Sequence, residues 1–491
     1  MLSLNQIGNQ IMLSMFRHQP KAFRMIFLLE VWERFGYYTV QGILTLYFIR
    51  QLGFSESTAY ETFGAFAALV YGMIAVGGYM GDKILGTKRT IVLGLVILAI
   101  GYLSLSLATK STAFLALAIV CVGNGIFKAN PSNLLSKCYH ENDPRLHSGF
   151  TLYYMAINLG SIVALIIGPL LSLTWGYFYA YFASFIGLML GLLNYWYQRD
   201  LIRDIETLGD KQIVSLKRWL VILCGIVVVI MTATYLLKHL LLTRYLLMAV
   251  IACVLGFYFN AMRKESQFMR AKMMVAFILM VEAVIFFTLY LQIPMSLNLF
   301  AVNNVSPQLF GITIDAQSFQ VLNPLWIVVM SPVLSYFYGV LHAKRIIFSI
   351  GHKFAVGMLL AGISFLMLFC TRYCHDSAGI VSSWWLVASY FFQSVGELMI
   401  SALGVAMVAK LVPVSMTGFV MGMWFLTTAM AGFLGAAVAS LTAVPSNMTG
   451  SIETLNLYTG VFGNIGLVTM GFGLLMLWFA PKLQKRIVAP R

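Results

Sequence analysis

The sequence predicts an all-α polytopic membrane protein with fourteen transmembrane helices, and three observations support this fold class. The 491-residue chain has a mean hydropathy of +0.86, and only 10% of its residues are charged, whereas soluble proteins average about 25%. Apolar runs long enough to cross a bilayer recur along the whole chain. If these runs alternate in direction, most lysine and arginine residues fall on one side of the membrane, as the positive-inside rule requires.

The predicted spans occur in groups of six, two and six. The first group covers residues 23–49, 59–80, 90–108, 112–135, 149–173 and 177–197. After a polar stretch, a hairpin covers 217–237 and 244–262, and the last group covers 270–298, 322–341, 354–372, 383–411, 416–441 and 457–480. We therefore predict an N-terminal six-helix bundle (1–197), a cytoplasmic linker (198–216), an extra transmembrane hairpin (217–262) and a C-terminal six-helix bundle (263–491).

The net charge of +15 reflects membrane topology and does not indicate a nucleic-acid partner. The basic residues cluster in the loops that would be cytoplasmic if the N-terminus lies in the cytoplasm. Residues 1–20 lack a compact apolar core followed by small residues, so we expect no cleavable signal peptide.

The two six-helix bundles contain similar short stretches in the same order. "VGNGIFK" (122–128) and "VGELMIS" (395–401) lie in the fourth spans, and "GFTLYYMAIN" (149–158) and "GFVMGMWFLT" (418–427) open the fifth. Transporters are often built from such repeats around a midplane site, although chance also produces matches this short.

Charged residues inside the predicted spans are the main functional candidates, because each costs about 2.5–3.5 kcal/mol near the bilayer centre. They are Glu30, Glu33, Arg34, Lys128, Glu282 and Glu397. In "EVWERFGYY", Glu30 and Arg34 have the i,i+4 spacing of an ion pair, and a polar stripe follows one helix face. A buried ion pair that only fixes helix packing is the alternative, but Glu33 and Lys128 would then still need partners.

Other polar and aromatic residues complete the candidate set. Glu397 has no cationic partner on its own helix, and such a carboxyl group can exchange protons. Asn158 and Asn323 are amides that need partners inside spans, whereas Tyr71 and Trp424 fit simple packing equally well. We prefer a structural role for Glu282, which lies nearer the cytoplasmic end of its span.

The loop "GYMGDKILGTKR" combines glycines, which permit close helix approach, with an acidic residue and a basic cluster. It is interpreted as a cytoplasmic latch between helices rather than a binding site. Its candidate residues are Gly78, Gly81, Asp82, Gly86 and Arg89.

Six of these stretches together resemble the proton-dependent oligopeptide transporters of the major facilitator superfamily. "EVWERFGYY" resembles the family's first-helix ExxER motif, and "GYMGDKILGTKR" is similar to the superfamily loop between spans two and three. "GNGIFKANPS", "FTLYYMAINLGS", "SVGELMIS" and "MGMWFLTTA" resemble the fourth, fifth, tenth and eleventh helices. The resemblance covers essentially the whole chain, and the extra hairpin is similar to that of bacterial members. It implies a major facilitator fold in the bacterial inner membrane, with both termini cytoplasmic.

The resemblance also implies a function: uptake of di- and tripeptides, coupled to protons and working by alternating access. It assigns proton coupling to Glu30, Glu33, Arg34 and Lys128, and peptide binding to Arg34, Tyr38, Tyr71, Lys128, Tyr154, Asn158, Asn323, Glu397, Ser401 and Trp424. The expected partners are di- and tripeptides, protons and the lipid bilayer; the expected state is a monomer without cofactor or metal.

Charge placement alone gives a compatible answer. The cationic pair lies in the first bundle and Glu397 in the second. Two or three extended residues reach roughly 7–11 Å, so a short zwitterion can engage both, and a longer peptide would leave one terminus unpaired.

Two points leave alternatives open. The family's seventh helix often has a charged residue before the glutamine that is Gln292 here, but this chain has Leu291, so a charge pair between the seventh and tenth helices cannot be assumed. A carrier for another small solute, such as nitrate or an amino acid, is the second hypothesis.

The sequence has no HExxH zinc pair, nucleophile elbow or Gly-rich phosphate loop in context, so we do not expect the protein to be an enzyme.

Overall fold

The structure is a computed structural model that describes residues 18–140, 143–205, 209–346, 348–445, 447–448 and 450–487; the side chains of residues 402, 403, 405, 406, 409 and 487 are not described. Residues 1–17, on which the signal-peptide expectation depends, lie outside the described residues.

Helices account for nearly all regular structure in the described ranges. They are α1 (Lys21–Leu46), α2 (Glu56–Tyr79), α3 (Thr87–Ser106), α4 (Ala113–Lys128), α5 (Asn130–Ser136), α6 (Arg145–Thr174), α7 (Tyr177–Gln198), α8 (Leu216–Lys238), α9 (Leu240–Lys264), α10 (Gln267–Tyr290), α11 (Ser296–Asn304), α12 (Leu322–Ala343), α13 (Ile350–Cys370), α14 (Trp384–Leu411), α15 (Thr417–Ser440) and α16 (Ser451–Ile487). Strands β1 (Gln308–Leu309) and β2 (Ile312–Thr313) pair antiparallel between α11 and α12.

Twelve helical stretches of the described chain are long and apolar enough to cross a membrane. They do not include α1 or α14, the helices that carry the Glu30–Arg34 stripe and Glu397. These two have 26 and 28 residues, which is longer than the roughly 20 that a span needs. The chain is therefore a multi-pass membrane protein, and the number of fourteen spans stays a prediction.

Local chemistry fixes several helix ends. The Ser266 hydroxyl accepts a hydrogen bond from the Met269 amide at 3.3 Å and caps α10. Pro131 lies in the first turn of α5 and has no amide hydrogen, which separates α5 from α4 at Ala129. Gly86 precedes α3 with φ +87°, a conformation that favours glycine.

The described helices belong to two units with mainly internal contacts. The first contains the chain up to Val40 together with Gly72–Tyr235, and the second contains Gln41–Tyr71 together with the chain from Leu236 onward. Helices α1 and α2 therefore contribute to both units, α8 lies almost entirely in the first, and α9 lies in the second. The four predicted parts follow chain order, and this division does not test them.

In the first unit, α3 packs closely on α4. A Cβ at Gly123 would lie 2.8 Å from the Leu98 nitrogen, so only glycine permits this approach. Helix α8 packs on the same region, because Ile226 joins an apolar cluster with Ile97 and Ile126. The first hairpin helix is thus held by α3 and α4.

In the second unit, residues 41–71 pack on the C-terminal helices. The Thr45 hydroxyl donates to the Pro294 carbonyl at 2.8 Å. The Gln320 amide donates to the Gly42 carbonyl at 2.9 Å. A Cβ at Gly64 would lie 2.4 Å from the Gly432 carbonyl oxygen. Helices α2 and α15 therefore cross with backbone almost in contact.

Candidate functional site

The charged stripe of α1 forms a buried cluster in the first unit. Glu30, Glu33 and Arg34 are only 3%, 0% and 2% exposed. The guanidinium pairs with both carboxylates, and its Nε lies 3.3 Å from Glu30 Oε1. The predicted pairing of Glu30 with Arg34 is present, and Glu33 shares the same cation.

Each of the two carboxylates accepts one hydrogen bond from a neighbouring helix. The Asn124 amide of α4 donates to Glu33 Oε1 at 2.9 Å, and the Tyr153 hydroxyl of α6 donates to Glu30 Oε2 at 2.7 Å. The sequence reasoning missed both donors. Asn124 lies one helical turn before Lys128, and this spacing was the available signal. For Tyr153, no signal separated it from the adjacent Tyr154.

A second cation belongs to the same cluster. Lys128 Nζ lies 5.7 Å from the centre of the Tyr37 ring, and Arg34 Cζ lies 5.1 Å from the same ring. Lys128 ends α4, but α5 follows directly, so Lys128 lies within the 24-residue stretch Ala113–Ser136. The cluster therefore has two carboxylates and two cations, which balance when all are ionised.

The other predicted residues of α1 and α6 have different surroundings. Tyr38 is half-buried, and its ring meets that of Tyr37 edge to face at 5.4 Å between centroids. Helix α6 reaches α1 at Gly160, where a Cβ would lie 2.8 Å from Arg34 Cβ. Asn158 donates to the Tyr154 carbonyl of its own helix at 2.9 Å.

The second unit holds a smaller polar cluster. The Asn323 amide, at the start of α12, donates to Glu397 Oε2 at 2.8 Å and to Ser394 Oγ at 3.0 Å. Within the described chain, Glu397 has no lysine, arginine or histidine within 4.0 Å. The Glu397 carboxylate therefore accepts a hydrogen bond from an amide, and it can still pair with a cation.

Tyr71, Ser401 and Trp424 also lie in the second unit, on α2, α14 and α15. Tyr71 and Ser401 are half-buried in α2 and α14. The Trp424 ring is 6% exposed, lies 6.0 Å from the Phe287 ring, and occupies space that a Cβ at Gly404 would fill. These contacts fit a packing aromatic, and the role of Trp424 in peptide binding stays a prediction.

The region of Leu291 contains amides instead of charges. Leu291 is buried, and Gln292 Nε2 donates to the carbonyls of Thr288 and Gly435 at 2.9 and 3.0 Å. Gln292 therefore ties α10 to α15. Earlier in α10, Glu282 is 4% exposed, and neither carboxylate oxygen has a hydrogen-bond partner among the residues described.

The predicted latch contacts both α5 and the cytoplasmic linker. Asp82 accepts a 2.8 Å hydrogen bond from Asn133, and a Cβ at Gly81 would overlap Asn130. Arg89 donates to the Gln212 carbonyl at 2.9 Å.

The remaining latch glycines differ in their surroundings. At Gly86 a Cβ would lie 2.3 Å from an Asp210 oxygen, whereas at Gly78 the nearest atom would be the Ala129 Cβ at 3.6 Å. The linker contacts of Arg89 and Gly86 were not foreseen from the sequence, and the latch role stays a prediction.

Comparison with known proteins places this chain in a family. The sequence profile of the POT family matches residues 88–457. The chain is 48% identical to dipeptide and tripeptide permease B of Edwardsiella piscicida over 96% of this chain and 97% of that protein. The identity is also 48% to dipeptide and tripeptide permease B of Salmonella typhimurium, over 96% and 97% of the two chains.

Solved structures agree with the sequence matches. A crystal structure of tetrameric PepTSo2 is 32% identical and superposes with a TM-score of 0.85 over 95% of this chain and 99% of that one. A bacterial homologue of the human drug peptide transporters PepT1 and PepT2 is 34% identical, with a TM-score of 0.84 over 95% and 99%. The predicted major facilitator fold is thereby confirmed, and the chain belongs to the POT family.

Proposed function

We propose that this protein is a proton-coupled symporter that imports di- and tripeptides by alternating access. The observation that carries the proposal is the sharing of one buried guanidinium, Arg34, between the carboxylates of Glu30 and Glu33, with Lys128 beside them across the Tyr37 ring. Ionisable groups inside a membrane protein are costly and typically mark an ion or substrate pathway.

The first cluster is suited to a peptide carboxylate. Arg34 presents a planar guanidinium that can bind a carboxylate with two parallel hydrogen bonds, and Lys128 adds a second positive charge. Both cations adjoin the Tyr37 ring, so both would attract the same carboxylate. Tyr38, half-buried one residue further along α1, would contribute its hydroxyl to the same group.

Charge balance supplies the coupling. With all four groups ionised the cluster is neutral, and a buried uncompensated charge is strongly unfavourable. A proton on Glu33 leaves one excess positive charge, which an incoming carboxylate neutralises. Proton and peptide therefore favour the same state, which is the linkage that cotransport needs. Glu30, held by Tyr153, would relay the proton.

The second cluster is suited to the peptide amino group. Glu397 can accept an ammonium group with a charge-assisted hydrogen bond, and the Asn323 amide, 2.8 Å away, orients the carboxylate. Asn158 would support the same terminus, while Tyr71, Tyr154, Ser401 and Trp424 would contact side chains. The two clusters together favour a substrate that has both a free carboxylate and a free amino group.

We also propose a cellular location and an oligomeric state for the protein. The basic residues in the loops after α2, α7, α9 and α12 favour cytoplasmic termini in a bacterial inner membrane. Each chain contains both clusters, so a monomer would suffice for transport.

The test is uptake by proteoliposomes under an imposed inward proton gradient. Dialanine and trialanine should accumulate, whereas free alanine, tetraalanine, N-acetyl-dialanine and dialanine amide should not. Excess dialanine should block uptake, while free alanine and nitrate should not compete. Accumulation of nitrate or alanine would instead identify the chain as a carrier for another solute.

A further inference from the structure

A cavity of 820 Å³ opens where α12 ends and α13 begins, in the second unit. Its walls include Tyr338, Leu341, His342, Arg345, Phe348 and Lys353. None of these residues belongs to the two clusters described above. The predicted topology puts the cavity at the cytoplasmic surface of the membrane.

The cavity has cations and a hydroxyl donor but no acid. In the described chain neither Arg345 nor Lys353 has a carboxylate within 4.0 Å, and the sequence has no aspartate or glutamate between Asp315 and Asp376. The Tyr338 hydroxyl has no hydrogen-bond partner among the described residues. Lys353 Nζ lies 3.9 Å from the centre of the Tyr338 ring. An anion would satisfy all three groups.

Arg345 occupies a backbone position that normally favours glycine. Its φ is +57°, and it ends α12 in a Schellman turn, in which Arg345 N donates to the His342 carbonyl at 3.0 Å and Ile346 N donates to the Leu341 carbonyl at 2.9 Å. Glycine adopts this conformation without a Cβ penalty. An arginine here is disfavoured by the backbone, which points to a use for its guanidinium.

A cavity of the first unit provides a contrast. It measures 770 Å³ and is lined by Lys88, Arg199 and Arg203. There, Lys88 Nζ already donates to the Ile202 carbonyl at 3.1 Å, and Asp200 supplies a carboxylate to the same lining. Cations without an acid therefore distinguish the cavity at α12 and α13 from this one.

We propose that the cavity at α12 and α13 binds the phosphate headgroup of an anionic phospholipid from the inner leaflet. Basic pockets between membrane helices on the cytoplasmic side suit such headgroups. Leu341 and Phe348 give the cavity an apolar wall, and Tyr336 and Phe337 expose 76% and 46% of their surface on the same helix end. Acyl chains can cover these side chains while the phosphate meets Arg345, Lys353 and the hydroxyl of Tyr338.

The test titrates the purified full-length protein, in a neutral detergent, with phosphatidylglycerol and counts retained lipids by native mass spectrometry. Arg345→Gly should weaken binding at least about 10-fold, because a hydrogen bond to a charged group is lost. The turn should fold at least as well with glycine, so the thermal midpoint without lipid should not fall. Lys264→Gln, which removes an exposed cation at the end of α9, is the control and should change binding no more than about 5-fold, the effect of one surface charge.

Two results would overturn the proposal. If Arg345→Gly and Lys264→Gln weakened phosphatidylglycerol binding equally, the lipid would be responding only to the overall surface charge of the protein. Stabilisation by inorganic phosphate at the concentrations where phosphatidylglycerol acts, lost in Arg345→Gly, would identify a site for a soluble anion. Selective loss of phosphatidylglycerol, with no response to inorganic phosphate, would support it.

Discussion

Replacing Glu33 by glutamine tests the proposed coupling most directly. Glutamine keeps the size of the side chain and an oxygen for the 2.9 Å bond from Asn124, but it removes one of the two negative charges that face Arg34. Arg34 and Lys128 then no longer have to release the Glu33 carboxylate before they bind the carboxylate of the peptide. A hydrogen bond that involves a charged group contributes about 1.5–3 kcal/mol. We expect about 10-fold tighter dialanine binding, the lower end of that range, because Glu30 remains 3.3 Å from Arg34.

Two assays separate binding from coupling. Dialanine counterflow, which needs no proton movement, should persist in Glu33→Gln proteoliposomes, whereas accumulation driven by a proton gradient should be lost. In the wild-type protein, dialanine affinity should fall as pH rises, because proton and peptide favour the same state under the proposed coupling. The variant should lose this dependence. If it still accumulated dialanine against a gradient, Glu33 would not be the coupling residue.

Asp143→Asn is the control for the pH profile. Hydrogen bonds from Arg145 lower the pKa of Asp143 from 3.8 to about 2. A lowered pKa stabilises the folded state above the ordinary pKa of the group, and the stabilisation disappears as pH falls through about 2. Asp143 is therefore ionised throughout the range of the uptake assay, and its replacement should leave the pH profile unchanged.

Three further changes give measurable outcomes. Tyr153→Phe leaves Glu30 Oε2 without its donor and should lower the free energy of unfolding by about 1–3 kcal/mol, seen as a lower thermal midpoint. Asn323→Ala should weaken dialanine binding about 10-fold, because Glu397 loses the amide that orients it, and calorimetry measures this. Gly64→Val should abolish uptake while the protein still inserts into the membrane, because its Cβ would lie 2.4 Å from the Gly432 carbonyl oxygen.

Each of these changes has its own control. Tyr197→Phe alters a tyrosine that is 87% exposed and should leave stability unchanged; an equal loss would show that the hydrogen bond from Tyr153 to Glu30 does not account for the effect of Tyr153→Phe. For Asn323→Ala, an N-acetylated dipeptide should bind equally weakly to both proteins, and a further loss would argue against an amino-terminal role. At Gly72 a Cβ would have no atom within 4 Å, so Gly72→Val should transport normally, and normal transport by Gly64→Val would refute the crossing argument.

The sequence predicted the α1 stripe because its residues lie on one helix and helical spacing places them together. Glu30, Glu33 and Arg34 needed no information from other helices. The donors Asn124 and Tyr153 come from α4 and α6, and their positions depend on how helices pack, which spacing within one helix does not determine. Adjacent tyrosines point to different sides of a helix, and the sequence did not indicate that Tyr153 is the one that donates to Glu30.

Packing also explains other limits of the prediction. Trp424 is buried because Gly404 of the preceding helix leaves room for its ring, and a single sequence does not pair these residues. Arg89 was assigned to a latch between helices, but it also donates to the linker at Gln212. The two contacts join different helices or segments, 123 residues apart in the case of Arg89 and Gln212, so helical periodicity does not reveal them.

Helices α1 and α2 each belong to both units, with the change of membership at Val40 in α1 and at Tyr71 in α2. Arg34 lies less than two turns before the first of these points, and Thr45, which bonds to Pro294, lies just beyond it. Helix α1 is continuous between Arg34 and Thr45. A displacement of the α1 axis at Arg34 would therefore also displace Thr45 and its hydrogen bond to Pro294.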